Sequence, residues 1–223
     1  MVKIMNVALA LGGSIVSENI ENLEKIIKQL QKISDVCEKV VVVVGAGKLK
    51  KYIEYCDEEV SNAEKDMVGI KATRLNASVL KSYFVDAYKS IPETFDELKI
   101  AVDTHDIVFM GGTEPGHSTD GVSAVCAEII DADLMVNVTN VNGVLDNGGK
   151  GDKIGQMNFF ELREQISSVS CDPGTYPLMD RTAIEILERS DIKLVVVDGN
   201  MPGEIIGAIN GEHSGSVIVS SEK

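Results

Sequence analysis

Five short aliphatic runs recur along the chain, and each ends in a glycine-rich or polar turn. They are residues 4–11 before Gly12-Gly13-Ser14, 40–44 before Gly45-Ala46-Gly47, and 107–110 before Gly111-Gly112-Thr113. The last two are 134–138 before Thr139-Asn140 and 194–197 before Asp198-Gly199. None alternates apolar with polar positions, so each predicts a strand buried on both faces. Between them, apolar residues return at helical spacing. Leu23, Ile26, Ile27 and Leu30 predict a helix over 22–33, and Ile70, Leu75, Val79 and Leu80 one over 67–83. Val125, Ile129 and Ile130 predict a helix over 122–130, and Ala183, Ile184 and Leu187 one over 180–189. This order predicts an α/β fold, a single three-layer αβα domain over residues 1–223 with a mostly parallel central sheet. Residues 216–219 predict a late strand joining an edge of that sheet in antiparallel sense, and 146–153 a mobile surface loop.

Composition narrows this picture. Hydrophobic residues make up 44% of the chain but aromatic ones only 4%, with no Trp, so the core is expected to be aliphatic. The formal net charge of −14 gives no field that would draw in nucleic acid or an anionic membrane, and neither is expected as a partner. Cys37, Cys56, Cys126 and Cys171 are scattered, with no CxxC pair and no histidine at ligand spacing. They read as reduced thiols of a cytoplasmic protein, and no metal site made by the chain alone is expected. The apolar run at the start is too short for a membrane span, and no other stretch reaches that length.

In open α/β sheets, ligands bind at the carboxyl ends of the strands, where the turns above lie. Gly12-Gly13-Ser14 would let the backbone approach a phosphate closely. Gly45-Ala46-Gly47-Lys48 adds Lys48 and Lys51 near a helix start, but it lacks Walker A spacing and also reads as a plain tight turn. The stretch from Gly111 to Asp120 is richer. It holds three glycines, Pro115, the hydroxyls of Thr113, Ser118 and Thr119, and His117, and it opens a helix at Thr119 or Asp120. Such a loop suits a polar ring and its phosphate. Asp120 reads as a helix N-cap or first-turn carboxylate, or as an anchor orienting groups around a transferring phosphoryl, and residue chemistry by itself puts the cap first. Asp180, with Arg181 behind it, also reads as a cap.

Taken in order, these segments resemble the amino-acid kinase superfamily, and within it the archaeal type of UMP kinase. The carriers are GGS after the first strand, VVVVGAGKLKKYI, DMVGIKATRLNA, FMGGTEPGHSTDGVSAVCAEIIDADL, TNVNGV, MDRTAIEILERSDIKLVV and GEHSGSVI. The GGTxPGHxTD loop is the specific one. The resemblance implies a nucleoside monophosphate kinase that moves the γ-phosphoryl of ATP to UMP with Mg²⁺, in a cytoplasmic homohexamer. It implies that Gly13, Ser14, Gly47, Lys51, Thr139, Asn140 and Leu145 serve ATP. Ala46, Asp66, Thr113, Glu114, Pro115, Gly116, His117, Ser118 and Thr119 would serve UMP. Asp120 would organise the transfer centre, with Lys48 as a candidate neutralising cation beside Lys51 and Lys153.

The chain departs from the superfamily pattern at four places. Ala10 replaces a lysine two residues before the first Gly-Gly, as is general in the archaeal type. GAGK replaces GGGK, which would strain Ala46 if its φ were positive. The run Leu145-Asp146-Asn147-Gly148-Gly149 replaces an aromatic residue and Ala-Asp-Pro that cover adenine. Glu185 stands where close relatives often carry lysine. Isopentenyl phosphate kinases resemble a pattern with a histidine soon after the second glycine loop, where this chain has Lys-Leu-Lys-Lys-Tyr. A kinase for another small phosphate, or a non-catalytic nucleotide or oxyanion binder, is the alternative on the same fold.

Overall fold

A computed structural model describes residues 5–17, 20–149, 151–167, 179–201 and 203–221. Cys171, and parts of the expected 4–11 strand and 146–153 loop, lie outside them. The chain begins β1 (Asn6–Leu11), α1 (Gly13–Ser17), α2 (Ile20–Val36), β2 (Lys39–Val44), then a 3₁₀ helix (Gly47–Tyr55). It continues α3 (Asn62–Lys81), α4 (Phe95–Thr104), β3 (Ile107–Met110), α5 (Thr119–Ile129) and β4 (Leu134–Thr139). A small hairpin of β5 (Val144–Leu145) and β6 (Lys153–Ile154) encloses the short α6 (Asp146–Gly149). The rest is β7 (Gln156–Asn158), α7 (Phe159–Ser167), α8 (Arg181–Arg189), β8 (Lys193–Asp198), α9 (Glu204–Asn210) and β9 (Ser216–Val219).

The main sheet has seven strands in the order β3-β2-β1-β4-β8-β9-β7. All neighbours are parallel except β8 and β9. The five aliphatic runs are the five adjacent strands β3, β2, β1, β4 and β8, buried on both sides as their lack of alternation predicts. β9 is antiparallel to β8, as expected, but it is not an edge. β7 pairs on its far side, a three-residue strand too short to leave a hydrophobic signature.

Side chains alternate across the strands into two aliphatic layers. Ala8, Val41, Val43 and Met110 face α4, α5, α7 and α8 through Leu98, Cys126, Leu162 and Leu187. Val7, Leu9, Val42 and Phe109 face α2, α3 and α9 through Ile26, Leu30, Leu80 and Ile205. The sequence segment 146–153 differs from the expected loop. Asp146–Gly149 forms a helical turn, closed by bonds from Asp146 N to Asp152 O (2.9 Å) and from Gly151 N to Asp146 O (3.1 Å).

α3 departs most from its sequence reading. Its buried residues are Ile70, Ala72, Thr73, Asn76, Ala77 and Leu80, whereas Leu75 and Val79 are 57% and 41% exposed. The inward face therefore includes polar positions, and two of the expected apolar ones point out. Its start is fixed by a capping box, in which Ser61 Oγ accepts from Glu64 N and the Glu64 carboxylate reaches back to Ser61 N.

Candidate active site

β1 and β2 end side by side, and their turns touch. Gly12 N donates to Val138 O at 2.8 Å, and Gly45 N to Leu11 O at 2.9 Å. A Cβ on Gly13 would stand 2.2 Å from Gly47 N and 2.3 Å from Gly45 O, so the two loops close on each other only because residue 13 has no side chain. Ala46 lies in the right-handed region at φ −74°, and it is Gly47 that takes a positive φ of 54°. The Ala46 methyl therefore costs no backbone strain, and the strain feared from the sequence falls on a residue that tolerates it.

A cavity of about 810 Å³ opens above these turns. Gly13, Ser14, Ala46, Gly47, Asp66, Glu114, Gly116, His117, Ser118 and Thr119 line it, joined by Lys50, Ile53, Ile70 and Thr73. A second cavity of about 250 Å³ is lined by Ser14, Thr119, Asp120, Thr139 and Asn140 together with Ala10 and Asn137. The two share Gly12, Ser14 and Thr119. Two neighbouring chambers thus meet at the β1 turn and the start of α5, and Asp120, next to the shared Thr119, lines the smaller of them.

Other candidate residues lie elsewhere. Lys48 and Lys51 are exposed on the 3₁₀ helix, where Lys51 Nζ stands 5.8 Å from the Tyr52 ring, while Lys50 is the lysine lining the large chamber. Lys153 Nζ donates to the Ser214 carbonyl. Pro115 is exposed in the loop, and Thr113 is buried with its Oγ1 unpartnered. Leu145 is half-buried in β5, beside Lys153 of β6. Glu185 is paired with Arg181 on the surface of α8 at 3.0 Å.

The start of α5 corrects the capping assignment. Ser118 is the cap, its Oγ accepting from Gly121 N at 3.0 Å, and Asp120 is the second helical residue. Asp120 is therefore released from capping. Burial pushes its pKa up to about 7, with the charge of Asp180 adding to the rise. Asp180 caps α8 by accepting from Ala183 N at 2.7 Å, and also accepts from Gly121 N (3.1 Å) and from the Ser118 hydroxyl. One carboxylate so ties the starts of α5 and α8 together, a role the sequence does not reveal because 59 residues separate Asp180 from Gly121.

α3 supplies the supports that the sequence reading missed. Asn76 Nδ2 donates to Gly45 O (2.8 Å) and Ala46 O (3.0 Å), and Thr73 Oγ1 accepts from Gly112 N at 2.7 Å. Arg74 donates to the carbonyls of Gly112 and Thr113, and Asp66 accepts from Gly116 N at 3.0 Å. Polar residues at inward positions of an otherwise ordinary helix were the available signal.

The polar side chains lining the chamber with Asp120 are the hydroxyls of Ser14, Thr119 and Thr139 and the amides of Asn137 and Asn140, each of which offers an oxygen. That set suits a hard divalent cation. Among the described residues no group of three or more His, Cys, Asp or Glu forms a metal cage. A cation here would take most of its ligands from phosphates and water, as magnesium commonly does.

The model of the amino acid kinase family matches residues 5–198. A uridylate kinase of Archaeoglobus fulgidus is 40% identical over 220 residues, covering 96% of this chain and all of the relative. One of Methanococcus maripaludis is 37% identical over 224 residues, covering 96% and 99%. The crystal structure of the Archaeoglobus fulgidus uridylate kinase superposes with a TM-score of 0.87 at 39% identity, over 96% of this chain and 100% of that one. With these relatives aligned along nearly its whole length, the chain belongs to the amino acid kinase family.

Proposed function

We propose that this protein transfers the γ-phosphoryl group of ATP to UMP, giving UDP and ADP. The observation that carries the reading is the pair of chambers meeting at Gly12, Ser14 and Thr119, with Asp120 lining the smaller one. UMP occupies the larger one, with its ribose hydroxyls on Asp66 and its base and phosphate against the loop from Thr113 to Thr119. ATP enters from the other side along Thr139 and Asn140, its phosphates against Gly13, Ser14 and Gly47. The hairpin carrying Leu145 flanks the adenosine.

The attacking group is a phosphate oxygen of UMP, already ionised at neutral pH, so no residue need remove a proton from it. The protein instead aligns the two phosphates and offsets charge on the transferring group. Backbone N–H groups of the glycine turns are fixed donors for that purpose. Lys50 lines the acceptor chamber, whereas Lys48 and Lys51 line neither chamber; all three lysines are exposed. The divalent ion in this reading is Mg²⁺, which the Asp120 carboxylate would help to hold and which would offset charge on the ATP phosphates. Asp120 in its ionised form orients the donors at the start of α5.

The domain spans 1–223, its N-terminal part mainly serving UMP and its C-terminal part mainly ATP. Among the described residues no helix is long and apolar enough to cross a membrane; the location proposed is the cytoplasm. Exposed Leu75 and Val79 on α3 support self-association, and the assembly proposed is a homohexamer. The test is turnover of UMP with Asp66→Ala beside the parent. Loss of UMP affinity at unchanged ATP affinity supports the assignment of the chambers, and equal loss of both contradicts it.

A further inference from the structure

We propose that Arg74 is a positioning residue for the acceptor nucleotide, a splint that fastens the loop after β3 to α3; this deepens, and rests on, the reading of that loop as the UMP site.

The guanidinium is committed on every side. Nε donates to Gly112 O at 3.0 Å, and Nη2 to Thr113 O at 3.1 Å and Glu93 O at 3.3 Å. Nη1 meets the Glu93 carboxylate at 2.5 Å. Arg74 keeps only 15% of its side chain exposed, although Glu93 is 61% exposed. It therefore joins three segments: α3, the turn before α4 that carries Glu93, and the loop after β3. Glu93 N in turn donates to Glu97 Oε2 at 2.7 Å, which anchors that turn to α4.

The loop is built to be held this closely. A Cβ on Gly111 would lie 2.7 Å from Arg74 N and 2.9 Å from Arg74 Cγ, so the strand end rests directly on the helix. Thr73 fixes the Gly112 amide from the neighbouring position, and Asp66, two turns earlier, fixes Gly116. Arg74 thus holds the carbonyls at the start of a span whose far end is pinned by the same helix. A charged donor on a carbonyl is stronger than a neutral one, and the planar fork reaches two successive carbonyls at once. Lysine, a point charge without the fork, cannot reproduce that geometry.

The test compares the parent with Arg74→Lys, Arg74→Met and Glu93→Gln. Amide hydrogen exchange is followed on the ligand-free protein, and KM is measured separately for UMP and ATP. Both arginine variants are expected to speed exchange at Gly112 and Gly116 by about tenfold or more, and to raise KM for UMP by a similar factor while KM for ATP stays within about twofold. Glu93→Gln is expected to fall between them and the parent. Unchanged exchange at those amides overturns the proposal, as does an equal rise in both KM values. If the methionine variant fails to fold, the lysine variant decides. If the parent itself does not phosphorylate UMP, the substrate reading fails, and the exchange measurement still judges the splint.

Discussion

Asp120 carries a conflict between folding and chemistry. Its carboxyl has a folded pKa raised to about 7 from an ordinary 3.8, by burial first and Asp180 second. Between those values the folded protein holds a proton that the unfolded chain has released, so stability falls as pH rises through that window. The penalty is absent below the ordinary value and complete above about 7. Asp120→Asn is therefore expected to abolish turnover yet raise the melting temperature at about pH 8, by roughly 2–4 °C for each kcal/mol relieved, with no gain at about pH 4. Thermal scans at the two pH values check this, and a lower melting temperature at the alkaline value contradicts it. The same shift predicts that kcat/KM falls with acidification below about pH 7, a limb that a pH profile reads directly. Gly13 is the opposite kind of residue, needed for its emptiness. Gly13→Ala would drive a methyl into Gly45 and Gly47 backbone, and loss of stability with loss of ATP binding is the expected outcome in a denaturation and binding series.

At the scale of elements, α3 acts as a support for both glycine loops. Asn76→Ala would leave the Gly45 carbonyl without its side-chain donor and the Ala46 carbonyl with the Leu49 amide alone. The expected cost is about 1–3 kcal/mol, read from urea midpoints, because unsatisfied buried polar groups forfeit their solvation. No change in midpoint would mean that the loop is held some other way. This helix also marks where the sequence becomes hard to read. Its existence was legible, but its face was not: Leu75 and Val79 mimic a buried stripe and are exposed, while Thr73 and Asn76 turn inward to meet backbone. An apolar pattern reports burial only where the partner is apolar, and here the partner is two polar loops. The five central strands were legible because burial on both faces leaves one unbroken signal. α4, α7 and the short β7 were not, since α4 and α7 each bury only two residues and β7 spans three. Of the two structural readings of Asp120, the first-turn carboxylate holds and the N-cap does not, since Ser, Thr and Asp adjacent in sequence are all competent caps and the structure uses Ser118.

For the whole molecule, the sheet order brings distant loops to one edge. Strand ends at residues 11, 44, 110 and 139 converge because β1 lies between β2 and β4, with β3 outside β2. The glycine turns singled out in the sequence line the two chambers, whereas the tie of Asp180 to α5, and the places of Arg74 and Lys50, needed the fold to be found. Outward Leu75 and Val79 bear on assembly. Leu75→Glu combined with Val79→Glu is expected to shift the protein to a smaller species in sedimentation without unfolding it, since both side chains already face water in one chain. An unchanged sedimentation coefficient would remove this face from the assembly.

The central claim is tested most directly by incubating purified protein with ATP and Mg²⁺ against UMP, CMP and isopentenyl phosphate. Asp120→Asn is carried alongside as the inactive control. Rapid formation of UDP, lost in the variant, is the predicted result. Phosphorylation of another acceptor while UMP stays inert, or ATP left intact with every acceptor, would contradict it.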